Sequence, residues 1–179
     1  MTFVRSLLAF SLLLSACYTP GQRYDTSYVV HVSPVFSAEQ SELVTEAVNE
    51  WTARSNGELV FTIITDPAPA TERGEIAFIP AHEGDLGYED GDPIDGLTTR
   101  EAYDYANSRV VTDGSSSPPD IFRHNVAHEL GHAIGLPHAG HGTVMCAKTT
   151  CASLVVTCED VMAWRALLGS TRQDCGSSD

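Results

Sequence analysis

The apolar positions of this chain change period several times, and each change marks an element. Residues 28–32, Tyr-Val-Val-His-Val, are β-branched and aromatic and predict a first strand. Beyond them Leu43, Val44, Ala47, Val48 and Trp51 recur at three- and four-residue spacing, so a helix reaching about Arg54 packs one face on a sheet. Ser37 and Gln40 have the spacing of a capping box at its start, and Gly57 closes it. A run of strand formers over 59–65 ends at Asp66-Pro67, and 75–81 gives another strand through Ile76, Phe78 and Ile79.

Residues 82–95 break the pattern. Glu83, Asp85, Glu89, Asp90, Asp92 and Asp95 alternate there with Gly84, Gly87, Gly91 and Pro93. Their carboxylates could wrap a calcium ion, but the regular spacing of a calcium loop is missing, so a solvated acidic loop is the preferred reading. Residues 97–112 read as loop followed by a strand over 107–112, and 113–119 as a flexible connection. Asp120 is the expected N-cap of a second helix beginning at Ile121. On that helix Phe122, Val126, Leu130 and Ala133 share a face opposite His128 and His132, at about 100° per residue. Acids at Glu159 and Asp160 favour a third helix, carried by Val161, Trp164 and Leu168 and ending at Gly169.

The chemistry concentrates between His128 and His138. Two histidines four residues apart on a helix present both imidazoles on one face, which is half of a zinc site. Glu129 lies about a quarter turn away, within reach of a metal-activated water but off the ligand direction, as a general base requires. Gly135 permits a positive φ, so the helix can stop and the chain can return to present His138 as third ligand. Three protein ligands with one open position describe a catalytic zinc rather than a structural one. His124 and His141 are left out of the ligand set, His124 as a supporting or surface residue; His31, far away in sequence, reads as structural or exposed.

The stretch His128-Glu129-Leu130-Gly131-His132, with Gly135 and His138 and followed by Thr143-Val144-Met145, resembles the metzincin clan of zinc endopeptidases. It is most similar to the matrixin-type branch, since Ala147 stands where other branches place a tyrosine ligand. The resemblance implies an α+β fold. Its parts would be a twisted mixed sheet with two main helices in an N-terminal subdomain up to about residue 135, and a small C-terminal subdomain with one helix. It also implies that Met145 forms a floor beneath the metal, and that the strand before the active-site helix is an edge on which extended substrate pairs. His82, Asp85 and residues 93–96 faintly resemble the matrixin loop for structural zinc and calcium, without the later histidine that loop needs.

Arg5 and the apolar run 7–14 read as a secretory signal, too short to span a bilayer. Leu14-Ser15-Ala16-Cys17 resembles the lipobox of bacterial lipoproteins, which implies cleavage after residue 16, a lipid on Cys17 and a tether over 17–27. Ordinary cleavage after small residues is the alternative. With Cys17 set aside, Cys146, Cys151, Cys158 and Cys175 form an even set in an exported chain. Of the three pairings, the one closing short local loops joins Cys146 with Cys151 and Cys158 with Cys175; free thiols or a second zinc site are the alternatives.

A chain of 179 residues with net charge −14 suits one catalytic domain over 28–175 and argues against nucleic-acid binding. The expected protein is a monomeric zinc metalloendopeptidase with one catalytic Zn2+, acting on peptides or proteins. It would be held by lipid to a membrane of the bacterial envelope, at the outer membrane or cell surface. Its rivals are a non-catalytic surface lipoprotein that keeps a zinc-binding fold, and a zinc hydrolase of non-peptide amides.

Overall fold

The computed structural model describes residues 24–66, 74–80, 118–148 and 150–176, together with the backbone of 88–89, 92–93, 96–100 and 107–112. Residues 1–23, with the expected signal segment and Cys17, and most of the acidic stretch 82–95 lie outside the described residues, as do His82 and Asp85. Of that stretch only β4 (Tyr88–Glu89) and β5 (Asp92–Pro93) are described, as a short antiparallel pair.

The first strand, β1 (Ser27–Val32), runs parallel to β2 (Val60–Thr65) on one side and to β3 (Glu75–Pro80) on the other. Between β1 and β2 the chain crosses through α1 (Ala38–Arg54), as a parallel connection demands. Ser37 and Gln40 form the expected capping box: Gln40 N donates to Ser37 Oγ at 3.1 Å, and Ser37 N to Gln40 Oε1 at 2.9 Å. Val44, Ala47, Val48 and Trp51 are the buried positions of α1, the face its periodicity predicts.

Two further strands, β6 (Gly96–Arg100) and β7 (Asn107–Thr112), complete a five-stranded sheet in the order β2-β1-β3-β7-β6. The first four are mutually parallel and β6 is antiparallel. This corrects one expectation. The strand over 107–112 is not an edge, because β6, a short connection away in sequence, pairs with its open side and becomes the edge.

The second helix, α2 (Pro119–Ala133), also begins differently from expectation. Its N-cap is Pro118 and carries no side-chain hydrogen bond, while Asp120 lies within the first turn. Pro119 at the first helical position has its φ already set and lacks one of the N–H groups that a helix start leaves unpaired, which favours a start there. Asp120 still acts favourably there on the positive end of the helix dipole.

The helices cover one sheet face. Val30 and Val32 of β1, with Ile76 and Phe78 of β3, meet Val44, Val48 and Trp51 of α1 and Phe122, Val126 and Leu130 of α2 in one core. Trp51 Nε1 donates to Ala127 O at 3.0 Å, pinning the two helices together inside it.

The last helix, α3 (Cys158–Leu167), is capped by Thr157 and Asp160 and packs its Val161 and Trp164 into the same core. Disulfides join Cys146 to Cys151 and Cys158 to Cys175. The C-terminal segment is then tied back to α1 by polar contacts. Val156 N donates to Glu50 at 2.8 Å, and Arg54 donates to Val156 O at 3.1 Å and to Gly176 O at 2.8 Å; just past α1, Glu58 accepts from buried Arg165 at 2.8 Å. Among the described residues no helix is long and apolar enough to cross a membrane.

Candidate metal centre

His128 and His132 sit one turn apart on α2, with ring centroids 4.7 Å apart. Each ring is oriented from behind. The Nδ1 of His128 lies 2.8 Å from Val144 O, and that of His132 lies 2.8 Å from Leu136 O. A carbonyl only accepts, so both Nδ1 atoms carry the proton and both Nε2 lone pairs are left for a ligand. Burial lowers the pKa of His128 below its ordinary value, against the opposing pull of the Val144 carbonyl and Asp160. That keeps the ring neutral, the form that binds metal.

The third imidazole arrives by a turn that only glycine makes comfortably. Gly135 has φ +112°, and Leu136 N donates back to Gly131 O at 2.9 Å as the helix ends. A Cβ at 135 would also stand 2.5 Å from the Tyr24 ring. The reversed chain brings His138 to ring-centroid distances of 5.3 Å from His128 and 4.7 Å from His132. One ligand atom from each of the three lies within 4.8 Å of the others. An ion about 2.1 Å from three nitrogens in tetrahedral directions separates them by about 3.4 Å, which that spread accommodates.

No protein-family model matches the chain, and no curated protein matches it.

The capacity of the site therefore rests on its own donor set. Three imidazoles, two with their second nitrogen tied to a carbonyl, fit a borderline-soft divalent ion. Among the described residues no fourth His, Cys, Asp or Glu joins the group. His138 is exposed, so the ligand side faces solvent, whereas Glu129, next to His128 on the helix, is 6% exposed.

Met145 is buried against α2, 1% exposed. A Cβ on Gly131 would fall 2.2 Å from its sulfur and 3.2 Å from Trp51 Cζ2. Glycine between the two helical ligands is thus what lets Met145 close against α2.

Sequence reasoning missed what holds that turn. Asp160 is 1% exposed, and its carboxylate accepts from Val144 N at 3.0 Å, Met145 N at 3.3 Å, Thr157 N at 2.9 Å and Thr157 Oγ at 2.6 Å. Val144 in turn presents its carbonyl to His128. A carboxylate on α3 thereby reaches a ligand on α2 through one peptide unit. The Thr-x-x-Asp spacing signals the cap but carries no sign of the contact with Val144.

The remaining histidines fall outside the triad. His124 is 2% exposed, which removes the surface alternative for it, and its pKa is lowered to about 4 by burial first and by neighbouring His128 second. Among the described residues its Nδ1 has no hydrogen-bond partner. His141 is exposed and does not join the group. His31 is buried on β1, with Nδ1 2.9 Å from Asp66 and Nε2 3.5 Å from Glu75, a structural position away from the site.

Proposed function

We propose that this chain is a zinc-dependent endopeptidase with a metzincin-like fold, holding one ion through His128, His132 and His138 and using Glu129 as general base. The observation that carries the reading is the convergence of three imidazole ligand atoms within 4.8 Å, two of them from one helix that also bears Glu129. Met145 packed under Gly131 and the sheet with one antiparallel edge strand support it further.

When bound, zinc supplies a Lewis acid that acidifies water and polarises the scissile carbonyl. The chain's own residues supply the rest. Val144 O and Leu136 O hold the two helical rings in the tautomer that binds, and Asp160 fixes Val144. The Glu129 carboxylate takes the proton of the attacking water and returns it to the leaving amine, so no covalent intermediate is needed. On the outer side of β6, beside α2, an extended peptide could pair by strand addition. The substrate is thus a peptide or unfolded segment, met at a bacterial envelope where Cys17 carries a lipid.

The test is cleavage of a peptide library by purified soluble protein, with and without chelator, for the native chain and Glu129→Gln. The expected result is chelator-sensitive cleavage that falls at least about 10²-fold in the variant while zinc content is unchanged. Full cleavage by Glu129→Gln would overturn the assignment of the base. A zinc-containing native chain that cuts no peptide would turn the reading to a non-catalytic binder.

A further inference from the structure

The three imidazoles are not equally well held. His128 and His132 ride on a regular helix, whereas His138 lies in an exposed irregular stretch beyond the Gly135 turn. Directly after His138 the chain forms an arch, residues 139–142, with two described backbone footings. At one end Ala139 N donates to Met145 O at 2.8 Å, and Ala139 forms a parallel bridge with Cys146. At the other Gly142 N donates to Cys151 O at 2.8 Å.

The two footings are therefore the two ends of one disulfide loop. Cys146 and Cys151 are five residues apart in sequence, and their bond holds the Cα atoms 6.0 Å apart. Ser153 N donates to Thr143 O at 3.0 Å and continues the clasp. The Met145 end is independently anchored, since Asp160 accepts from Val144 N and Met145 N. The Cys151 end joins that anchored end through the disulfide and through a short loop whose Ala147 and Lys148 are exposed.

We propose that the Cys146–Cys151 disulfide sets the affinity of the histidine site for its metal by fixing the arch that directly follows His138. A dithiol reductant is the natural agent of release. Its two thiols are oxidised to a disulfide, and the two electrons and two protons they give up leave Cys146 and Cys151 as thiols. The Gly142 footing then loses its covalent tie to the anchored end, so the segment that follows His138 is held less firmly for the ion. His128 and His132 keep their carbonyl partners, so two ligands persist while the third must be ordered on binding. The site would hold its metal firmly in an oxidising compartment and weakly in a reducing one. The inference rests on the metal reading of the three histidines.

Zinc dissociation constants, measured on the full chain by competition with a chromophoric chelator, decide it. Four variants are compared with the native protein: Cys146→Ala with Cys151→Ala, Cys158→Ala with Cys175→Ala, His138→Ala, and His138→Ala combined with the first pair. Alanine removes the free thiols that could themselves bind zinc. The first pair is expected to weaken zinc about 10-fold or more, in the range for groups that support a ligand. The Cys158 and Cys175 pair, which clamps the C-terminal tail, should change affinity less than about 3-fold. In the combined variant the disulfide loss should add little to that of His138→Ala, because both act through one ligand. Unchanged affinity in the first pair, an equal loss in the second, or full additivity with His138→Ala overturns the proposal. Unchanged affinity in His138→Ala alone removes the metal reading, and the proposal with it.

Should the alanine pair fail to fold, hydrogen exchange on the metal-free native chain before and after mild dithiol treatment gives the answer. The amide of Gly142 should exchange faster after reduction while those of Ala139 and Leu130 stay protected. Equal protection in both states overturns the coupling.

Discussion

Asp160 shows how much one buried carboxylate can organise. Its two oxygens accept four hydrogen bonds, two within the cap of α3 and two from the turn that carries Met145. An ionised carboxylate is acceptor-only and suits four donors, whereas an amide would aim its own N–H groups at some of them. Asp160→Asn should therefore destabilise the metal-free chain by about 1–3 kcal/mol in urea unfolding, the range for a buried group left unsatisfied. Thr157→Ala, which loses the cap alone, should cost only about 1 kcal/mol. Since Val144 O also orients His128, Asp160→Asn should weaken zinc by about 10-fold, with Thr157→Ala nearly silent. If the two variants behave alike in both assays, Asp160 is a helix cap and nothing more.

At the scale of elements the site is a helix, a turn and a loop, and these were unequally legible. The face of α2 that anchors it, Phe122, Val126, Leu130 and Ala133, follows from periodicity and is buried as expected. The Gly135 turn was also visible in sequence, because a ligand helix that must stop and reverse needs a residue free to take positive φ. Gly135→Ala should cost about 2–3 kcal/mol of stability, combining left-handed strain of about 1–2 kcal/mol with crowding against Tyr24. It should also lower zinc content after dialysis, by shifting His138. A variant with native melting temperature and full zinc would show that the turn tolerates a side chain. What local pattern could not reveal was pairing: the strand over 107–112 was recognised, but its place inside the sheet depends on β6 lying alongside. Nor could spacing alone show that Gly131 makes room for Met145, since that contact spans distant parts of the chain.

The whole molecule carries a consequence in acid that no single element shows. His124 lies in the packed interior behind the site, and its pKa is about 4 in the folded chain against an ordinary value near 6.5. Above about pH 6.5 the ring is neutral in both folded and unfolded chains, and its titration adds nothing to the pH dependence. Between about 6.5 and 4 the unfolded chain binds the proton and the folded chain does not, so stability falls as pH falls; below about 4 the loss levels off. The full shift corresponds to about 3 kcal/mol, and relaxation around a ring that keeps a backbone contact with Ser153 reduces the expected loss to about 2 kcal/mol. Replacing His124 with Leu removes this term while leaving the shift of His128 in place. Urea unfolding of metal-free native and His124→Leu chains from pH 7.5 to 4 should give stability curves that converge on the variant's favour by about 2 kcal/mol towards the acid end. Metal-free protein is needed because release of an ion from the proposed His128, His132 and His138 site would add its own acid dependence. Parallel curves over that window would mean that water or a shift of the Ser153 segment lets the folded chain protonate His124 without opening the core.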